Sequence, residues 1–146
     1  MFSFQVINPL KSFIIKEKII KSIFSELEKT DKQEQNGTLN IVFLEDSEIQ
    51  KLNKDHRNID KTTDVLSFHY YDDFSLLKDE EIAWEIVLSE QKIISQGKEY
   101  KLWSELEFYK LLIHSSLHIL WYDHEEDEEY KVMKEKEKLI WKKIFE

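Results

Sequence analysis

The chain has 146 residues and a formal net charge of −9, with 41% hydrophobic and 35% charged residues. This length and composition predict one globular domain with a hydrophobic core, and the acidic balance excludes a protein that coats nucleic acid by bulk electrostatic attraction. The absence of cysteine excludes disulfides and thiolate metal ligands. The sequence shows neither a signal-peptide pattern nor an apolar run near the ~20 residues that span a membrane, so we expect no membrane partner and a cytoplasmic location.

The first half of the chain predicts two strands and two helices. In chain order these are a strand at 2–7, a helix at 9–28, a strand at 38–46 and a helix from 47 to about 54. Asn8 and Pro9 are typical of a helix N-cap and a first helical position. Ser47, with Gln50 three residues later, resembles a capping box.

The second half predicts two more strands and two or three helices. In chain order these are a loop at 55–64, a strand at 65–70, an exposed connection at 71–81, a strand at 82–89, a short helix that ends near 97, a helix from 104 and a final helix from about 125 to 144. Ser89 is suited to cap the short helix. Apolar residues cover most of the circumference of the helix from Ser104, so it is predicted to be buried. Helices covering a small mixed sheet, in an α+β or α/β sandwich, fit this order.

Three of the five histidines lie in IHSSLHILWYDHE (113–125). His114 and His118 are four residues apart, which places both on one face of a helix with Cβ atoms about 5–6 Å apart. His124 follows where the helix should end, and a chain that turns back there would bring a third imidazole to the same point. Three imidazoles with one open position are typical of a catalytic zinc site. The alternative is that these histidines are hydrogen-bonded core residues.

The residue after the first histidine limits the chemistry of such a site. In the zinc protease motif H-E-x-x-H the glutamate is the general base, but Ser115 occupies that position here. Peptide hydrolysis by that route is therefore disfavoured, and what remains is a zinc ion that activates water and polarises a carbonyl or phosphoryl oxygen. Arg57 is the only arginine of the sequence, and arginine can bind a phosphate or carboxylate with two parallel hydrogen bonds.

Several stretches together resemble a known family. HSSLHILWYDH (114–124) is similar to H-G-x-L-H-L-x-G-Y-D-H, the signature of the YbeY endoribonucleases, which are rRNA maturation factors. LNKDHRNIDKTTDVLSF (52–68) resembles the family's arginine-bearing loop and its T-D-V-L-S-F strand. AWEIVLS (83–89) resembles its G-D/E-I-V-I-S strand, and EDEEYKVMKEKEKLI (126–140) fits its closing helix.

This resemblance implies a single α+β domain over residues 1–146, with a mixed sheet of about four strands and a metal site at the end of a buried central helix. It implies a single zinc ion per chain, bound by His114, His118 and His124, with Arg57 as a catalytic phosphate clamp beside His114. The implied activity is zinc-dependent endonucleolytic cleavage of single-stranded RNA. The implied role is 3′-end maturation of 16S rRNA and ribosome quality control, with the small-subunit rRNA precursor and the ribosomal small subunit as partners.

Two other functions fit the same residues. One is a zinc hydrolase that acts on a peptide or another substrate that is not RNA, although Ser115 in place of glutamate speaks against it. The other is a ribosome assembly factor that binds zinc for stability and performs no catalysis. The first predicts turnover of peptide substrates, and the second predicts that substitution of the histidines leaves RNA maturation intact.

The chain departs from the family signature at four positions. Ser115 and Trp121 replace glycines of the histidine signature, Trp84 replaces a strand glycine, and His69 stands where proline is common. Trp84 either reshapes the wall of the cleft or adds core packing, and we favour packing. His69 either lies near the metal or simply ends its strand, and we favour the strand end.

Two aspartates allow both a functional and a structural interpretation. Asp64 either orients Arg57 or a metal ligand, or closes the turn before its strand. Asp123 either is the hydrogen-bond partner of a metal-binding imidazole or caps the last helix, with Glu126 completing a capping box. We favour the cap.

Overall fold

A computed structural model of the chain describes residues 3–8, 13–30, 36–70, 77–78, 80–100, 102–120 and 127–146. The strands in these ranges are β1 Ser3–Ile7, β2 Thr38–Leu44, β3 Val65–His69 and β4 Ile82–Ser89. The helices are α1 Glu17–Thr30, α2 Asp46–Arg57, α3 Glu90–Glu99, α4 Ser104–Leu120 and α5 Asp127–Phe145. None of these helices combines the length and apolarity that crossing a membrane requires.

The four described strands form one sheet in the order β1-β2-β4-β3. β2 pairs in parallel with both β1 and β4, whereas β3 pairs with β4 in antiparallel orientation. The predicted α+β class with a small mixed sheet is therefore confirmed. β3 lies at an edge of this sheet, which leaves its outer side to border a cavity.

Alternation along the strands divides the core between the two faces of the sheet. One face carries the larger hydrophobic cluster, to which β2 contributes Leu39 and Ile41 and β4 contributes Ile86 and Leu88, and residues of α1, α4 and α5 complete it. The other face carries a smaller cluster of Ile49, Leu66 and Val87, which α2 covers. α4 is thus buried in the main core, as its apolar circumference predicted.

The helix predicted from residue 9 begins later in the structure. α1 starts at Glu17, and Asn8 has a left-handed φ of 53° instead of the extended backbone of an N-cap. Pro9 lies outside the described residues. The carbonyl of Lys16 accepts from the N–H of Ile20, and the backbone N–H of Lys16 donates a hydrogen bond to Tyr109 Oη at 2.9 Å. The residue before α1 is thus tied to one 93 positions away in the sequence.

The capping box predicted at Ser47 and Gln50 is wrong. α2 begins at Asp46, and its N-cap residue, Glu45, makes no side-chain cap hydrogen bond. Instead, the side-chain Oε1 of Gln91 accepts a hydrogen bond from the N–H of Asp46 at 3.1 Å. One N–H group of the first turn of α2 is therefore satisfied from α3, by a contact that no local pattern encodes.

Candidate active site

The second half of α4 contains two polar exceptions. From Leu111 to Leu120 every side chain is buried except those of His114 and His118. The two imidazoles lie one turn apart on the same face of the helix, and both line a cavity of about 550 Å³. The predicted i, i+4 spacing of His114 and His118 is therefore present, and both side chains face the cavity instead of the core.

Three elements form this cavity, which we call the α4 cavity. α4 contributes His114, Ser115 and His118, the end of α2 contributes His56 and Arg57, and β3 contributes residues 65–68. The structure thus brings Arg57 to the same cavity as the two histidines, although they are far apart in sequence.

The edge of β3 supplies backbone groups to the α4 cavity. The N–H of Ser89 donates to the carbonyl of Asp64, and the N–H of Tyr70 donates to the carbonyl of Ala83. Because backbone groups alternate in direction along an antiparallel ladder, the N–H and C=O of Val65 and Ser67 point away from β4. These groups face outward along the strand segment that lines the cavity.

Arg57 is held at the rigid end of a helix. α2 was predicted to end near Lys54, but it continues to Arg57, so the arginine occupies the last helical turn and not the loop. Asn58 adopts a left-handed φ of 57° and its N–H bonds to the carbonyl of Lys54 at 3.0 Å, which ends the helix. Buried Asn53 donates from Nδ2 to the carbonyl of Lys61 at 2.8 Å and ties the following loop to α2.

His114 has a carboxylate partner on another helix. Its Nδ1 forms a hydrogen bond with Oε1 of Glu137 on α5. An ionised carboxylate can only accept, so in a neutral His114 side chain Nδ1 carries the proton and Nε2 keeps a lone pair. This is the state of an imidazole that binds a metal through Nε2.

The described donors fit a zinc ion in chemical type. Two neutral imidazoles at helical i and i+4 positions are suited to share one ion, and His114 already has its Nδ1 occupied by a hydrogen bond. No cluster of three or more histidine, aspartate or glutamate side chains that could hold a metal occurs within the described ranges. His124, the third predicted ligand, lies outside those ranges, as do Trp121 and Asp123.

The remaining residues singled out in the sequence have structural positions. Trp84 is 0% exposed and belongs to the main core, so the packing interpretation is supported. His69 is the last residue of β3, as the strand-end interpretation predicted. Asp64 accepts a hydrogen bond from Thr63 Oγ1 at 3.3 Å and its carbonyl accepts from Ser89, which supports its role in closing the turn before β3.

Sequence reasoning missed two residues of this site. His56 lines the α4 cavity beside Arg57, and its ring packs edge-on against Phe68 with centroids 5.2 Å apart. Glu137 lies four residues after Met133 and three before Ile140, both of which are buried. A carboxylate at a core-facing spacing in α5 was the signal that could have marked Glu137 as a residue with a buried partner.

Comparison with known proteins assigns the chain to a family. Residues 9–145 match the family model described as Endoribonuclease YbeY. The chain belongs to the YbeY family. The resemblance seen in the histidine signature and the neighbouring strands is thereby confirmed over nearly the whole chain.

Curated members of the YbeY family are similar to the chain over most of its length. Endoribonuclease YbeY from Thermoanaerobacter sp. (strain X514) is 38% identical over 138 residues, which cover 88% of this chain and 84% of the relative. Endoribonuclease YbeY from Finegoldia magna is 34% identical over 143 residues, which cover 96% and 92%. Endoribonuclease YbeY from Carboxydothermus hydrogenoformans is 41% identical over 106 residues, which cover 71% and 70%.

A solved structure shares the fold of this YbeY family member. The solution structure of TM1509 from Thermotoga maritima matches with a TM-score of 0.57 at 23% sequence identity. The match covers 96% of this chain and 90% of TM1509. It supports the arrangement of the sheet and helices described above.

Proposed function

We propose that this member of an endoribonuclease family is a zinc-dependent enzyme that hydrolyses phosphodiester bonds of single-stranded RNA in the α4 cavity. One observation carries the proposal. His114 and His118 are the two side chains of residues 111–120 that escape burial, and both line the cavity that also holds Arg57. Such exposure of imidazoles in an otherwise buried half of a helix is typical of a functional site.

The zinc ligands would be His114, His118 and His124, with a single ion per chain. When bound, zinc supplies Lewis acidity, which activates a water molecule and polarises a phosphoryl oxygen. His114 would bind the ion through Nε2, because Glu137 accepts the hydrogen bond of its Nδ1–H. Ser115 stands where zinc proteases have a glutamate base, which favours a phosphodiester over a peptide as the substrate.

Arg57 would bind the scissile phosphate. Its guanidinium can donate two parallel hydrogen bonds to phosphate oxygens, and the charge stabilises the additional negative charge of the transition state. The helix end that carries Arg57 is fixed by contacts of Asn53 and Asn58, so the backbone from which the guanidinium extends is already in place beside the cavity. The outward N–H groups of Val65 and Ser67 provide further donors along the same wall.

The natural substrate that we propose is the precursor of 16S rRNA at its 3′ end, with the enzyme acting in the cytoplasm. A net charge of −9 repels an RNA backbone, so bulk attraction does not bring the enzyme to its substrate. Docking on the ribosomal small subunit would supply the local concentration that the surface charge does not.

Metal-dependent cleavage of a labelled small-subunit rRNA precursor tests the proposal. We expect cleavage that a chelator abolishes and added zinc restores, and that His114→Ala eliminates. Full cleavage by the metal-free protein would contradict the proposal. An assembly factor without catalysis would instead keep both ribosome association and RNA maturation in the His114→Ala protein.

A further inference from the structure

We propose that Glu137 is a positioning residue for the metal site. Its carboxylate accepts the hydrogen bond of His114 Nδ1 and thereby fixes the ring in the tautomer and orientation in which Nε2 faces the α4 cavity. The inference rests on the proposed function, because it takes His114 as a metal ligand.

The packing of α5 holds Glu137 in place. The hydrogen bond joins α4 to α5 across 23 residues of sequence, and the Glu137 side chain is only 22% exposed. Met133 lies one turn before Glu137 and Ile140 one turn after it, and both are buried in the main core at 3% and 2% exposure. The helix backbone that carries Glu137 is therefore anchored on both sides, which fixes the point from which its carboxylate reaches His114.

The chemistry of imidazole explains why this anchor matters for metal binding. A neutral imidazole carries one proton, and a ring with that proton on Nε2 has no lone pair there to give to a metal. A carboxylate on the Nδ1 side selects the productive tautomer and increases the basicity of Nε2. Loss of such a partner typically weakens metal affinity 10–100-fold.

An ion pair between α5 and α1 provides a contrast for a purely structural role. Lys143 Nζ lies 3.3 Å from Oε2 of Glu26 on α1, and thus also links α5 to a neighbouring helix. The partner of Glu26 is thus a lysine, whereas the partner of Glu137 is an imidazole that lines the α4 cavity. If Glu137 served only to join helices, its removal would resemble the removal of Glu26.

Zinc affinity measured by competition with a chromophoric chelator separates these roles. We expect Glu137→Ala to bind zinc about 10–100-fold more weakly than the unmodified chain. Glu137→Gln should lose less, because its amide oxygen still accepts from Nδ1–H without the negative charge. Glu26→Gln, the matched control, should retain full affinity, and melting curves of the zinc-free proteins confirm that each variant is folded.

The tautomer of His114 provides a readout that does not depend on metal or activity. In ¹⁵N-labelled zinc-free protein, we expect His114 to carry its proton on Nδ1, and the Glu137→Ala protein to show the tautomer mixture of an unrestrained imidazole. Equal zinc affinity in the Glu137→Ala and unmodified proteins, or an Nε2–H tautomer in the unmodified protein, would overturn the assignment of Glu137 alone. An unmodified chain that binds no zinc would overturn the proposed function together with it.

Discussion

Two polar positions on α4 differ in what surrounds them. Glu107 and His114 are seven residues apart, about two turns, so they lie on the same side of the helix. Glu107 is 1% exposed, and within the described structure its Oε2 has no hydrogen-bond partner. His114 has 45% of its side-chain surface exposed, lines the α4 cavity and is hydrogen-bonded to Glu137. One end of the helix therefore buries a polar group at a cost in stability, whereas the other end exposes polar groups to a cavity.

We call the part of α4 around Glu107 its closed end. Burial there changes the ionisation of the Glu107 carboxylate. Burial raises the pKa of Glu107, Lys110 partly opposes this with Nζ 3.8 Å from Oε2, and Asp64 adds to the increase. The contrast with His114 suggests that polarity alone does not identify a functional residue on a buried helix. A functional residue is identified by its hydrogen-bond partner and by the open space beside its side chain.

The largest effect is expected at the part of α4 that carries His114 and His118, which we call its open end. His118→Ala should lower RNA cleavage by more than about a hundredfold, beyond the 10–100-fold typical for loss of a residue that only supports a metal ligand. Because His118 is exposed, the substitution leaves no core cavity, and the melting temperature of the zinc-free protein should not change. Initial cleavage rates and thermal unfolding measure the two quantities. A variant that melts normally and retains a tenth of the cleavage rate would contradict the role of His118 as a metal ligand needed for cleavage.

A somewhat smaller effect is expected at Arg57, which lines the α4 cavity from the end of α2. Arg57→Ala should lower kcat/KM about 10²–10³-fold through loss of a charged donor to the transition state. Arg57→Lys should recover part of the loss, since lysine keeps the charge but not the two parallel hydrogen bonds. Lys54→Ala is the control, because Lys54 is an exposed cation one turn earlier on α2. Equal losses for Arg57→Ala and Lys54→Ala would indicate general electrostatics instead of a phosphate clamp.

At the closed end, Glu107→Gln should stabilise the protein without changing cleavage. A carboxyl whose pKa is raised by folding contributes stability below its unfolded pKa near 4.5 and loses it as pH rises through the folded pKa. The neutral amide avoids this loss, so we expect a gain of about 1–3 kcal/mol at pH 8 and a smaller gain at pH 5. Denaturant unfolding at the two pH values measures it. A Glu107→Gln protein that is less stable than the unmodified chain at pH 8 would show that the carboxylate is well accommodated.

The smallest effect is expected at Tyr109, which is buried in α4 two residues after Glu107. Its hydroxyl accepts from the N–H of Lys16 and donates to Glu105 at 2.9 Å, so Tyr109→Phe should cost about 1 kcal/mol at pH 7. Burial raises the pKa of Tyr109 to about 12, so its contribution is lost as pH rises from 10 through 12. The stabilities of the two proteins should therefore cross as the pH rises from 10 to 12, because a shift of about two pKa units corresponds to about 2.7 kcal/mol, which exceeds the loss of about 1 kcal/mol at pH 7. Parallel curves over that range would contradict a buried, neutral tyrosine.

The sequence predicted features that depend on local spacing better than those that depend on distant contacts. The pairing of His114 with His118 needs only one helix, and β4 matches its predicted range at 82–89 because a short apolar run bounded by polar residues encodes it. The residue before α1, Lys16, is hydrogen-bonded to Tyr109, and His114 is hydrogen-bonded to Glu137. Both partners are remote in sequence, and no periodicity identifies them.

The zinc content of the purified protein tests the metal site most directly. After removal of loosely bound ions, we expect about one zinc ion per chain in the unmodified protein and almost none in His118→Ala, with both proteins folded. Equal zinc content in the two proteins, or an unmodified chain that cleaves RNA without zinc, would contradict a metal centre at the open end of α4.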